Sequence, residues 1–291
     1  MSAAPAARRA PHPFDRVRER TRRMTRVAQV MGLPVSIHIH IAADAGSPAD
    51  RLRLAADTFF AELRDMDAMF SPFRPDSAVS LVGAGRLRLD EAPPAVREVA
   101  QACARYECIT GGCFSAHWRG PFDPTGYVKG WAVERAFERH LAPLADAEPA
   151  VVAVGANAGG DMQLRTAAGR DWEWHVAISD PEVPGSTIAS LNIRDGAVAT
   201  SGFAARGRHI LDPRTGAPCA TVASATIVGT HLTEADVWAT AAVVAGFDDL
   251  RWVAKATSTS GLLVAPGGAT RRWSHGAEVS PDDVRRAQPR R

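Results

Sequence analysis

The chain has 291 residues, 46% of them hydrophobic and 23% charged, a balance that excludes disorder as its main state and allows a sizeable core. Its net charge of +2 is uneven: residues 1–30 hold eight arginines against Asp15 and Glu19, residues 270–291 hold six against three acids, and the body between is acidic. No nucleic-acid-binding face is expected without a basic stripe on the body, and only two lysines, Lys129 and Lys255, are available for lysine chemistry.

In chain order, residues 1–26 read as a disordered arginine-rich arm, 27–268 as one domain and 269–291 as a polar, mobile tail. Val35, Ile37, Ile39 and Ile41 alternate with Ser36, His38 and His40, which predicts a half-buried strand with both histidines on its solvated face. Leu52, Ala55, Phe59, Leu63, Met66 and Phe70 recur at helical spacing within 48–70. Further helices are predicted over 94–109, closing at Gly111-Gly112, over 130–141 and over 235–246. Between the last two lie β-rich runs at 150–154, 162–165, 172–178, 187–193, 197–200 and 221–228. Helices and strands do not alternate regularly, so the class is α+β.

No apolar run reaches the ~18–20 residues of a membrane helix, Ala239 to Phe247 being about half as long. The basic start is not followed by an apolar leader, and Cys103, Cys108, Cys113 and Cys219 match neither a disulfide framework nor a common zinc spacing. A cytoplasmic protein with reduced thiols is the expectation.

Three stretches carry more glycine, carboxylate and hydroxyl than a core requires. Phe122-Asp123-Pro124-Thr125-Gly126-Tyr127-Val128-Lys129-Gly130 reads as a turn entering a helix, where free amides and Lys129 suit an anion; a helix entry capped by Asp123 or Thr125, with Lys129 solvated, is the alternative. Ser201-Gly202 is followed by His209-Ile210-Leu211-Asp212-Pro213-Arg214-Thr215-Gly216, a tight-turn sequence in which Asp212 bonds its own backbone; His209 is a candidate proton acceptor. Asp236 and Thr240 are four apart on a predicted helix, so their oxygens share one face, as a hard cation needs. Gly155 to Asp161 lacks the spacing of a dinucleotide or phosphate loop and reads as a tight turn near a ligand.

In this order the stretches resemble the ApbE family of FAD:protein FMN transferases, from Met31-Gly32 through Phe70-Ser71-Pro72-Phe73, the Asp123 to Ala132 turn, Gly159-Gly160-Asp161, Ser201-Gly202 and His209 to Gly216, to Asp236 and Thr240. The resemblance implies a single α+β domain with mixed or antiparallel sheets flanked by helices. It implies binding of FAD and Mg2+, and transfer of FMN to a threonine hydroxyl of a target flavoprotein with release of AMP. It gives Asp236, Thr240 and a main-chain oxygen near Gly126 to the metal. Met31, Phe73, Cys113, Phe114, Ser115, Asp123, Lys129 and Ile210 go to the FAD cleft, and His209 lies near the attacking threonine. Ser115 stands where many members carry an acid, only seven residues separate it from Asp123, and Phe73 replaces a tyrosine-like position. These departures suggest a shortened variety and leave two alternatives, an FAD pyrophosphatase giving FMN and AMP, and a non-catalytic flavin carrier.

Overall fold

The computed structural model of the chain describes residues 21–46, 48–203 and 210–279. The alternating segment forms β2 (Leu33–Ala42), whose four core-facing branched residues are buried and which pairs antiparallel with β1 (Thr21–Val30). Met31 (φ 53°) and Gly32 (φ 71°) join them as a two-residue hairpin turn, for which Met31 adopts a left-handed backbone that costs a non-glycine residue roughly 1 kcal/mol.

The helices are α1 (Ala49–Phe70), α2 (Ala78–Gly83), α3 (Pro94–Thr110), α4 (Thr125–Ala136), α5 (Ala142–Ala147) and α6 (Leu232–Ala245). The remaining strands are β3 (Val151–Ala158), β4 (Asp161–Thr166), β5 (Trp174–Ser179), β6 (Thr187–Ile193), β7 (Gly196–Gly202), β8 (Ser224–Gly229), β9 (Ser260–Val264), β10 (Thr270–Ser274) and β11 (Ala277–Val279). Nine strands form one sheet in the order β1-β2-β3-β4-β7-β8-β9-β10-β11, every neighbouring pair antiparallel, and β5–β6 form a separate ribbon.

One face of the large sheet, with Ile37, Ile39, Val154, Ala199 and Ile227, packs on α1, α4 and α6 in the main core. On the other face Leu164 and Val198 meet Val176 and Ile193 of the ribbon, and Leu262 and Val264 meet Ile178. The sheet is thus apolar on both sides, and the α+β class follows.

Four expectations change. The domain starts by Thr21 rather than at 27, because β2 gives the backbone of residues 21–26 a full antiparallel partner. It runs through Val279 rather than 268, since Trp273 of β10 is 2% exposed and packs edge-on against Trp252 at 5.0 Å. The expected arm and tail otherwise lie outside the described residues. The third helix begins at Thr125, five residues early: the Pro124 carbonyl accepts the Tyr127 and Val128 amides, and those two side chains are buried. It continues past Leu141 through a π turn (Phe137–Leu141) into α5, and Pro143, which has no N–H, accounts for the irregular turn. Finally, His38 and His40 are half-buried under the ribbon, with the His40 ring 4.1 Å from Trp172 and 5.2 Å from Trp174, so their face is covered rather than solvated.

Candidate functional site

At one end of the large sheet, three features converge: the Met31-Gly32 turn, the β3–β4 turn at Gly159-Gly160 and the end of β7 at Gly202. There a cavity of about 1010 Å³ opens, at the upper end of the ~300–1,000 Å³ usual for ligand pockets. Met31, Phe73, Cys113, Phe114, Ser115, Asp123, Gly126, Lys129, Ile210, Asp236 and Thr240 all line it. His209 lies outside the described residues.

The base of the cavity is an ionic cluster. Lys129, on the second turn of α4, forms ion pairs with Asp161 at the start of β4 and with Asp236 on α6, the latter at 3.2 Å. Both carboxylates are held by backbone: Asp161 Oδ1 accepts the Thr200 amide at 2.8 Å and Asp236 Oδ2 accepts the Gly130 amide at 3.2 Å. Asp161 and Asp236 are 1% and 2% exposed, so two buried carboxylates share one ammonium and a negative charge is left over. Burial, more than the Lys129 charge can offset, pushes the Asp236 carboxyl up to about 6, with Asp161 adding to the shift. Burial alone would lower Lys129, but Asp236 and Asp161 outweigh it and hold the ammonium above the ordinary lysine value. Lys129 is therefore neither solvated nor a free charge waiting for an anion, because its partners on other elements already claim it.

Next to the cluster the Thr240 hydroxyl, one helical turn from Asp236, lies 3.2 Å from the Ser201 hydroxyl. Among the described residues Asp236, Thr240 and Ser201 bring side-chain oxygens together here, and oxygen is the ligand type of magnesium. Among the described residues no three His, Cys, Asp or Glu side chains form a metal-holding group. Magnesium commonly takes one or two carboxylates and completes its shell with water and substrate phosphates, so these residues, with their surplus negative charge, fit it.

Nearer the mouth, Asp123 Oδ1 accepts the Thr125 amide at 3.1 Å, which satisfies an orphan donor at the start of α4. Its Oδ2 accepts the Trp118 indole N–H at 3.2 Å, and Arg119 lies over that indole at 4.1 Å. Trp118 and Arg119 also line the cavity and were missed in the sequence, where the seven-residue link to Asp123 read only as a deletion. Asp161 was missed as a side chain with a role, although the glycines before it drew notice. Phe73 stands at the rim, 93% exposed. The 212–216 segment is the expected tight turn, Asp212 accepting the Arg214 amide at 2.9 Å and pairing with the Arg214 guanidinium at 2.8 Å.

Helices α4 and α6 touch at Gly130, where a Cβ would lie 3.0 Å from the Asp236 Cβ and 3.1 Å from the Leu232 carbonyl oxygen. Gly130→Ala is expected to force them apart and cost roughly 1–3 kcal/mol in urea unfolding. An unchanged midpoint would show that the contact is not tight.

The ApbE family model matches residues 116–263. The FAD:protein FMN transferase of Treponema pallidum is 39% identical over 95 residues, covering 29% of this chain, and the match spans about a quarter (26%) of that protein. Three solved structures share the fold: the ApbE protein of Thermotoga maritima (TM-score 0.69, 22% identity, 86% of this chain and 97% of that one), flavin transferase ApbE of Vibrio cholerae (0.67, 18%, 88% and 98%) and flavinyl transferase ApbE of Pseudomonas stutzeri (0.67, 20%, 89% and 98%).

Proposed function

The chain belongs to the ApbE family, and from that membership we propose that it is a magnesium-dependent transferase that moves FMN from FAD to a threonine hydroxyl of a target flavoprotein and releases AMP. The observation that carries this reading is the convergence of eleven residues, drawn from stretches far apart in the chain, on one cavity large enough for a dinucleotide.

In the proposed reaction the threonine Oγ forms a bond to the FMN phosphorus, the bond from that phosphorus to the bridging oxygen breaks, and AMP leaves with the electron pair. The threonine proton passes to His209, whose neighbour Ile210 lines the cavity. Asp236, Thr240 and the Gly126 carbonyl would hold magnesium, which when bound neutralises charge on the pyrophosphate oxygens. Lys129 and the Gly130 amide orient the Asp236 carboxylate, and Asp161 in turn fixes Lys129. Asp123, held by Trp118, shapes the wall beside the start of α4, and Phe73 offers an aromatic surface at the rim.

Incubation of the protein with FAD, magnesium and a candidate acceptor flavoprotein tests the reading. An acceptor band that keeps flavin fluorescence through denaturing electrophoresis, with AMP released, supports it. Free FMN plus AMP would make the protein an FAD pyrophosphatase, and intact FAD retained on the protein would make it a carrier. His209→Ala is expected to slow transfer by about 10²–10⁴-fold without weakening FAD binding. Transfer at the wild-type rate would remove His209 from the reaction.

A further inference from the structure

Ser201, which the reaction as proposed leaves without a task, lines the cavity beside Asp236 and Thr240. Its place follows from the period of β7. Ala197 and Ala199 point into the main core with the helices, while Val198 points to the ribbon, so Ser201 continues the alanine row on the helix side. The row thus ends in a hydroxyl, which faces the Thr240 hydroxyl of α6 at 3.2 Å.

Thr240 departs from the habit of helical threonines. Such a hydroxyl commonly bonds the carbonyl one turn back, as Thr58 does to Leu54 at 2.8 Å on α1. Among the described residues the Thr240 hydroxyl bonds Ser201 instead, across to another element. A hydroxyl has one proton and two lone pairs. To offer a lone pair to a cation it must send its proton elsewhere, and the Ser201 oxygen is an acceptor within reach. In the opposite direction Ser201 would take up a Thr240 lone pair and leave the Thr240 proton aimed away from it.

Ser201 is itself held in place. Its neighbour Thr200 donates its amide to Asp161 at 2.8 Å, and the Thr200 hydroxyl lies 2.9 Å from that of Thr226. Asp161 pairs with Lys129, and Lys129 with Asp236. Residues 200 and 201 therefore tie both candidate metal ligands of α6 to one strand, Asp236 through Asp161 and Lys129, and Thr240 directly.

We propose that Ser201 is a positioning residue of the metal site: its oxygen accepts the Thr240 proton and so turns a Thr240 lone pair toward the cation. The inference rests on the magnesium reading above. Mn2+ binding by the full chain, followed by electron paramagnetic resonance with and without FAD and with no acceptor protein, tests the two apart. Wild type should hold one Mn2+ that Asp236→Asn does not hold. Ser201→Ala, which extends the alanine row, should melt with wild type but bind that ion about 10-fold more weakly. In a Thr240→Val background the same change should leave Mn2+ affinity unaltered, because nothing remains for Ser201 to orient. If Ser201→Ala fails to fold, Ser201→Cys, whose sulfur is only a weak acceptor, takes its place. Equal affinity in wild type and the position-201 variant would overturn the inference and leave the metal site standing. A loss that persists in the Thr240→Val background would also overturn it, by making Ser201 a ligand in its own right. Equal Mn2+ binding by wild type and Asp236→Asn under both conditions would overturn the magnesium reading, and the inference with it.

Discussion

Asp236→Asn is expected to lower FMN transfer by at least ~10²–10³-fold while leaving the fold intact. Asparagine keeps the shape of the side chain and can still accept the Gly130 amide, but it loses the charge that the proposed magnesium site requires. Stability should move the other way. Burial pushes the carboxyl up to about 6 in the folded protein from its ordinary 3.8, so its contribution to stability is full below 3.8 and is lost as pH rises through about 6. At pH 7 the wild-type protein bears the cost of a buried, half-compensated charge, and the asparagine variant should melt at the same temperature or higher. Wild-type transfer in this variant would remove Asp236 from the site. A large fall in melting temperature at pH 7 would contradict the charge assignment.

Lys129→Met should be the most destabilising single change in the site. It leaves Asp161 and Asp236 buried together without a counter-charge, and breaking a buried ion pair from one side costs about 3–5 kcal/mol. The raised ammonium pKa means that this stabilisation is present at every pH below the ordinary lysine value of 10.5 and is lost only as pH rises through the higher folded value. Because Asp236 takes up its proton near pH 6, the deficit of the variant should be smaller at pH 5 than at pH 8. Urea unfolding at the two pH values measures this, and an equal or larger deficit at pH 5 would separate Lys129 from the carboxylates. Lys129→Arg keeps the charge with a planar fork in place of a point donor, so comparing its stability and FAD affinity with wild type isolates geometry from charge.

Much of the frame was legible because the patterns that reveal it are local. The spacing from Leu52 to Phe70 read as a helix, and α1 spans Ala49–Phe70. The alternation from Val35 to Ile41 read as a strand, and those four residues are buried. What misled was also local. The Asp123 to Gly130 stretch contains two glycines and a proline, which suggest a turn. Burial of Tyr127 and Val128 against the core makes it the first turns of α4 instead. His38 and His40 read as a solvated face because nothing in their neighbourhood announces a ribbon that arrives more than 130 residues later in the chain.

The amino-acid sequence by itself determined the α+β class and the main helices and strands, because period survives without coordinates, and through the order of its motifs it pointed to eleven of the residues that line the large cavity. The tertiary structure alone decided what those residues do to one another. Lys129 meets a carboxylate 32 positions away and another on α6, and Trp118 meets Asp123 across the short link that looked like a loss. Charge pairing and burial act through space: low polarity around Asp161 and Asp236 makes their shared ammonium obligatory, and no spacing along the chain records which groups will be enclosed together.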